Sequence, residues 1–288
     1  MEDYIVSARK YRPKTFDEVA GQEAITSTLV NAITNNQLAQ ALLFTGPRGV
    51  GKTSCARILA KMINSSIDND NQDFAYNIFE LDAASNNSVD DIRNLTEQVR
   101  IPPQLGKYKV YIIDEVHMLS ASAFNAFLKT LEEPPKHCIF ILATTEKHKI
   151  IPTILSRCQI YDFKRITNKD IVDYLIKICN KEKVKFESEA LDIIANKADG
   201  AMRDALSIFD RILSYNNKEI TVKDVSINLN VLDQEIYSNT IDLILENKIP
   251  ELLLLVDSVI SKGFEGINYI SGLSTYCRNL LISKDEKT

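Results

Sequence analysis

Residues 41–53 read ALLFTGPRGVGKT, and they decide what kind of sheet this chain builds. The first five are an almost unbroken apolar run, the composition of a strand covered on both faces by helices. The next eight, Gly46-Pro47-Arg48-Gly49-Val50-Gly51-Lys52-Thr53, satisfy G-x-x-x-x-G-K-[ST] in full, and Ser54-Cys-Ala-Arg-Ile-Leu-Ala-Lys-Met-Ile continues as a helix. Strand, glycine-rich turn and helix in that order form an anion cradle. Glycines let backbone N–H groups curl around phosphate oxygens, and the helix N-terminus adds positive potential. Lys52 is expected to neutralise the outer phosphates and Thr53 to ligate Mg²⁺, with Gly46 through Ser54 all lining the phosphates.

Working outward, NIFEL (77–81), VYIID (110–114), CIFILAT (138–144) and QIYDF (159–163) are further strands. Helical patterns separate them. One runs from Ala123 to Leu131, with Ser120 as N-cap and Pro134-Pro135 as the stop. Such alternation predicts a doubly wound parallel α/β sheet. After residue 165 the strand signals vanish. Thr167-x-x-Asp170 opens a helix, a second covers Ser188–Ala198, a third runs from Ala201 to about Leu213, and Thr221-x-x-Asp224 opens a fourth. Further helix follows, one segment starting at Pro250. The expected division is 1–165 for the sheet domain, 166–227 for a small helical lid and 228–288 for the beginning of an all-helical domain. The polar stretch 65–73 is expected to be a solvated loop.

Composition narrows the class. Lys+Arg 34 against Asp+Glu 39 gives a net charge of −5, so there is no global basic field for nucleic acid. Five scattered cysteines (55, 138, 158, 179 and 277) with no CxxC fit reduced thiols in a cytoplasmic protein. The N-terminus is too charged for a signal peptide, and the longest apolar run is far short of a membrane span.

KVYIIDEVHML (109–119) supplies the second chemical element. Asp114, at the end of a neighbouring strand, is placed to hold the metal, and Glu115 to act as general base on the attacking water. His117 follows two residues on and is read as a packing or capping residue.

These motifs join RKYRPKTFDEVAGQE (9–23), FELDAASNNSVDDIRNL (79–95), DEVHMLSASAFNAFLKTLEEPP (114–135), ILATTEKHKIIPTILSRCQ (141–159) and GAMRDALSIFD (200–210). Together they resemble the bacterial gamma/tau subunit of the DNA polymerase III clamp loader, an AAA+ ATPase. The resemblance runs almost uninterrupted through residues 4–225. The remainder resembles only the start of that family's collar domain, without the tau-type extension. It implies ATP and Mg²⁺ as cofactors, and as partners the other clamp-loader subunits, a sliding clamp and primer–template DNA, with no membrane.

The resemblance also implies roles position by position. Thr145 matches sensor 1, at the γ-phosphate or lytic water. Arg203 matches sensor 2, reaching from the lid to the nucleotide. Tyr11, Arg12, Pro13 and Val19 match the segment along adenine and ribose. Arg157, in Ser-Arg-Cys, matches the arginine lent in trans to a neighbouring subunit's ATP site, where a planar guanidinium can offset charge growing in the transition state. Its alternative is a structural pairing with Asp162 or Glu146.

Two departures from the family are visible. Many members carry a four-cysteine zinc module after the P-loop helix, whereas residues 62–80 here contain no cysteine, so no zinc is expected. The segment that faces DNA in the family is Asn86-Asn87-Ser88-Val89-Asp90-Asp91 here, leaving Asn87 and Arg93 as candidate contacts. Weak binding with a shallow salt dependence follows. Other functions fit parts of the pattern: a replication factor C-like small subunit, a branch-migration motor, or a scaffold that binds nucleotide without turning it over. Intact Lys52, Asp114 and Glu115 argue against the scaffold.

Overall fold

The computed structural model describes residues 5–64, 77–104, 106–215, 219–229, 232, 234–261 and 263–284. The stretch 65–73, expected to be a loop, lies outside them. In chain order the elements are α1 (Ser7–Lys10), α2 (Glu23–Thr34), β1 (Ala41–Thr45), α3 (Lys52–Asn64), β2 (Ile78–Asp82), α4 (Val89–Val99), β3 (Lys109–Asp114) and α5 (Ala121–Glu132). They continue with β4 (Cys138–Thr144), α6 (Pro152–Leu155), β5 (Gln159–Asp162), α7 (Asn168–Glu182), β6 (Lys185–Phe186), α8 (Ser188–Ala198) and α9 (Met202–Tyr215). Last come β7 (Glu219–Ile220), α10 (Val222–Leu229), α11 (Gln234–Leu245), α12 (Ile249–Ser261) and α13 (Gly266–Ser283). The chain divides into two compact units, residues 1–182 with 194–210, and residues 183–193 with 211–288.

The first unit is built on a five-stranded parallel sheet of order β2-β3-β4-β1-β5. All residues of β1 and β4 are buried, as their apolar runs require. Two cores form, one on each face. Leu42, Phe44, Ile112 and Ile141 pack against α2 and α3 through Leu29, Cys55 and Leu59. Leu43, Tyr111, Ile113 and Phe140 pack against α4 and α5 through Ile92, Leu95, Phe124 and Phe127. Phe79, Tyr111 and Phe140 stack at centroid separations of 5.0 and 5.6 Å across three strands, and Phe127 of α5 meets Phe140 edge-on at 5.3 Å. Each fully buried side chain of this size contributes about 1.5–3 kcal/mol.

Local chemistry sets the helix ends. Ser120 Oγ accepts the Ala123 N–H at 3.2 Å, capping α5 as its sequence predicts. Ser88 and Asp91 form a reciprocal capping box at the start of α4. The last residue of α3, Asn64, is buried and acts as a clip. Its Nδ2 donates to the Tyr108 carbonyl at 3.0 Å, and its Oδ1 accepts the Tyr108 N–H at 3.0 Å, tying the helix end to the entry of β3.

The second unit holds a feature the sequence did not announce. Beyond residue 165 strand signals vanish, yet β6 and β7 pair in parallel, Lys185 with Glu219 and Phe186 with Ile220. Two residues per strand are too few for alternation to show. Helices α11 to α13 close on a small core of Leu232, Val259 and Tyr269, where Thr240 Oγ1 lies 2.7 Å from the Tyr269 hydroxyl. Leu245, Leu253, Leu254, Ile267 and Leu281 stay exposed on these helices. No helix among the described residues is long and apolar enough to cross a membrane.

Candidate functional site

The parallel sheet delivers the C-terminal ends of β1, β3 and β4 to one edge, and the site is assembled there. The loop after β1 turns over the start of α3. At Gly46 the backbone takes φ +138°, and a Cβ there would press on the Phe163 carbonyl oxygen, so only glycine lets the loop pass this close to the chain leaving β5. Lys52, the first residue of α3, is almost fully buried, and its ammonium donates to the Gly46 and Pro47 carbonyls at 2.7 Å each. Burial pushes its pKa below the usual lysine value, and Glu115 and then Asp114 pull it back up.

One residue along the helix, the Thr53 hydroxyl donates to Asp114 Oδ2 at 2.7 Å. These two oxygens, from the first turn of α3 and the end of β3, are a hard donor pair that suits Mg²⁺. Asp114 Oδ1 accepts the Glu115 N–H at 3.0 Å. Glu115 sits in the left-handed region at φ +48°, a costly conformation for a non-glycine residue that clusters at functional turns. The turn aims its carboxylate sideways to the end of β4. There Oε2 accepts the Thr145 hydroxyl at 3.0 Å and the Thr145 N–H at 3.3 Å.

A cleft of about 350 Å³ opens beside these groups. Tyr11, Arg12, Pro13, Val19, Arg48 through Ser54, Asp114, Glu115 and Arg203 all line it. With Arg9 and Glu18, which also line it, five cationic side chains and three carboxylates face one cavity. Burial first, then Arg57, lowers the Arg12 pKa, with Arg203 adding to the effect. Arg57 itself forks onto Glu80 of the edge strand at 2.5 and 2.8 Å. The N-terminal segment is pinned from two sides. The Tyr174 hydroxyl donates to the Tyr11 carbonyl at 2.8 Å. The buried Gln22 amide donates to the Lys164 carbonyl at 2.7 Å and accepts the Lys164 N–H at 3.4 Å.

Other candidates lie outside the cleft. Gly46 and Pro47 are linked to it through the Lys52 ammonium, and Thr145 through Glu115. Arg157 follows α6 and pairs with neither Asp162 nor Glu146. Its Nη2 lies 2.6 Å from Glu132 Oε1, at the end of α5, and Nη1 donates to the Thr153 carbonyl at 2.8 Å. Asp162 is taken by Thr45 and Lys147, and Glu146 by Lys149. Asn87 and Arg93 are exposed at the start of α4, where Arg93 pairs with Asp90 at 3.2 Å.

Sequence reasoning missed two sets. Arg9, Ile166, Tyr174, Met202 and Leu206 also line the cleft; for Tyr174, Met202 and Leu206, positions in a helical stripe look alike whether they face a core or a ligand, and Arg9 and Ile166 carry no motif. His117, expected from its sequence to be a packing or capping residue, has its ring nitrogens facing Glu115 and Glu146 at 3.4 and 3.3 Å. Among the described residues, no group of three or more His, Cys, Asp or Glu is arranged to hold a metal.

The chain matches solved structures of the Thermotoga maritima RuvB Holliday junction branch migration motor. One aligns with a TM-score of 0.60 at 22% identity, covering 81% of this chain and 79% of that one, which establishes a common fold. Fold and cleft together define a P-loop ATPase domain of the AAA+ class with a helical lid. Residues 21–167 match the family model described as DNA polymerase III, delta subunit, and residues 170–218 the model of the DNA polymerase III clamp loader subunit, ATPase lid domain. DNA polymerase III subunit tau of Bacillus subtilis is 44% identical over 96% of this chain and 51% of its own length. DNA polymerase III subunit gamma of Buchnera aphidicola subsp. Schizaphis graminum is 34% identical over 98% of this chain and 81% of its own length. The chain belongs to the gamma/tau subunit family of bacterial DNA polymerase III. It spans about half the length of the tau relatives it matches.

Proposed function

We propose that this chain is an ATP-hydrolysing motor subunit of a clamp loader, binding ATP with Mg²⁺ to help open a sliding clamp and seat it on primed DNA. The observation that carries this reading is the meeting of two pairs at one sheet edge: Thr53 with Asp114 at 2.7 Å, and Glu115 with Thr145 at 3.0 Å. The first pair has the donors a magnesium ion needs. The second holds a carboxylate where a water attacking the terminal phosphate can be deprotonated.

In this reading the amides of Arg48 through Thr53 receive the phosphates, and Lys52 turns from the Gly46 and Pro47 carbonyls to the outer phosphate oxygens. Magnesium, when bound, supplies charge neutralisation to the phosphates, with Thr53 and Asp114 as its protein ligands. Tyr11, Arg12, Pro13 and Val19 receive the adenosine end, and Arg203 couples the lid to the nucleotide. Glu115 takes the proton of the attacking water. Thr145, whose hydroxyl and N–H both reach Glu115, orients that carboxylate as well as facing the γ-phosphate.

Arg157 serves in trans, completing the site of an adjoining subunit, so that turnover reports on assembly. Residues 1–165, 166–227 and 228–288 act as motor, lid and the beginning of an oligomerising collar. Asn87 and Arg93 give only weak contact with primer–template DNA. The protein works in the cytoplasm and carries no zinc, which elemental analysis of the purified protein tests. The experiment for the whole reading is ATPase activity of the assembled complex with clamp and primed DNA, separately and together. Synergy between the two is expected. Stimulation by junction DNA alone would select a branch-migration motor, and no stimulation a nucleotide-locked scaffold.

A further inference from the structure

His117 stands at the centre of a network that joins Glu115 to the end of β4. It lies in the short 3₁₀ turn Val116–Met118 that follows Glu115, and its side chain keeps only 6% of its surface exposed. Nδ1 is 3.0 Å from Thr144 Oγ1 and 3.4 Å from Glu115 Oε2, the oxygen that also holds Thr145. Nε2 is 3.3 Å from Glu146 Oε1. Thr144 is itself fully buried, and its oxygen accepts the Glu146 N–H at 3.0 Å; its second lone pair can take the Nδ1–H, which stands between it and Glu115 Oε2. Glu146 is anchored on its outer side by Lys149 at 2.9 Å. One ring thus joins the turn after β3 to the turn after β4, with a carboxylate facing each nitrogen.

A structural histidine needs one partner per nitrogen, and a backbone carbonyl will serve, as Val99 does for His137 at 3.0 Å. The His117 ring instead stands against two carboxylates and a buried threonine, one of the carboxylates being the group that should activate water. Glu115 needs such support because its backbone conformation is unfavourable and its side chain extends sideways from the strand. Thr145 fixes the carboxylate from one direction only. With the imidazole on the same oxygen, rotation away from Thr145 would break contacts on both sides.

We propose that His117 is a positioning residue for ATP hydrolysis: its Nδ1 holds the Glu115 carboxylate against Thr145 and ties it, through the Thr144 oxygen that also binds the Glu146 N–H, to the turn at 146–149. The inference rests on Glu115 being the general base. His117 touches no phosphate in this role, so its loss should lower turnover and leave nucleotide binding alone. A displacement of about 1 Å at a reacting group costs up to about 100-fold in rate.

The test uses the full-length protein assembled in its complex, with stimulated kcat, KM and the nucleotide Kd measured for His117→Ala, His117→Asn, Glu115→Gln and the double variant Glu115→Gln/His117→Ala. His117→Ala is expected to lower kcat by about 10- to 100-fold, with Kd and melting temperature near those of the parent. His117→Asn, whose amide can stand where Nδ1 does, should recover part of the rate, and it carries the test if the alanine variant does not fold. The double variant should be no slower than Glu115→Gln, because His117 acts through that carboxylate. Parent-like kcat in both His117 variants, or loss of ATP affinity by the same factor as kcat, would overturn the proposal while Glu115→Gln remained inactive. Full turnover in Glu115→Gln would instead overturn the assignment of the base, and the role of His117 with it.

Discussion

Gly46→Ala and Gly51→Ala form a matched pair that tests how the phosphate loop is held. Both residues have positive φ, +138° and +103°, so either alanine suffers backbone strain of about 1–3 kcal/mol. They differ in what the new methyl group meets. At Gly51 the nearest atom is Val19 Cγ1 at 3.8 Å, ordinary contact. At Gly46 the methyl would press on the Phe163 carbonyl oxygen and lie 3.0 Å from Phe163 Cβ, and backbone cannot swing aside as a side chain can. Overpacking of this kind adds about 1–3 kcal/mol, bringing Gly46→Ala to about 2–6 kcal/mol against about 1–3 for its partner. A folded domain holds only about 5–15 kcal/mol in all, so the variant should be visibly weakened. Urea unfolding without nucleotide, followed by circular dichroism, measures both against the parent. Equal losses, or a larger one for Gly51→Ala, would refute the claim that the end of β5 is packed against the loop.

Further outcomes follow from other contacts. Arg157→Ala should keep the nucleotide Kd within about twofold while stimulated ATPase falls by about 10³-fold or more; equal loss of affinity and rate would assign the residue a role in its own subunit. Asn64→Ala strips both hydrogen bonds from the Tyr108 backbone at the far end of α3, so urea unfolding should show a loss of about 2–4 kcal/mol with nucleotide affinity unchanged. Burial pushes the Cys55 thiol up to about 12 and those of Cys138, Cys179 and the partly exposed Cys158 to about 11. Iodoacetamide at pH 8 should therefore label the partly exposed Cys277 first, as peptide mass mapping would record. Asp162 is held below the usual aspartate range by the Thr45 hydroxyl and then by Lys147. A depressed carboxylate contributes stability above its unfolded pKa that is lost as pH falls through the folded one, so Asp162→Asn should flatten the acid limb of a stability–pH profile.

Where neighbours in sequence make the structure, the sequence was readable. The apolar runs place β1 and β4 to the residue, because strands buried on both faces have nowhere to put a polar side chain. Ser120 and Thr167 mark real helix starts, since a cap and the amide it binds are three residues apart. The P-loop and Asp114 meet because parallel strands bring their C-terminal ends to one edge. What escaped depends on contacts between distant segments. Glu132 is 25 residues before Arg157, and only the packing of α5 beside α6 makes them partners. The role of His117 is hidden because Thr144 and Glu146, which complete its surroundings, lie at the end of another strand, 27 and 29 residues on. Asn64 carries no signal at all, as a polar residue at a helix end usually faces water.

The Gln22 amide has a mechanical consequence. It bonds in both directions to Lys164, 142 residues away, so the segment that borders the cleft and the strap that leads from β5 into α7 are geared together. Sliding one without the other would strand a buried amide, at about 1–3 kcal/mol. A ligand that tugs on residues 11–13 therefore has leverage on the strap through Gln22, in addition to any contact with Ile166, which lines the cleft.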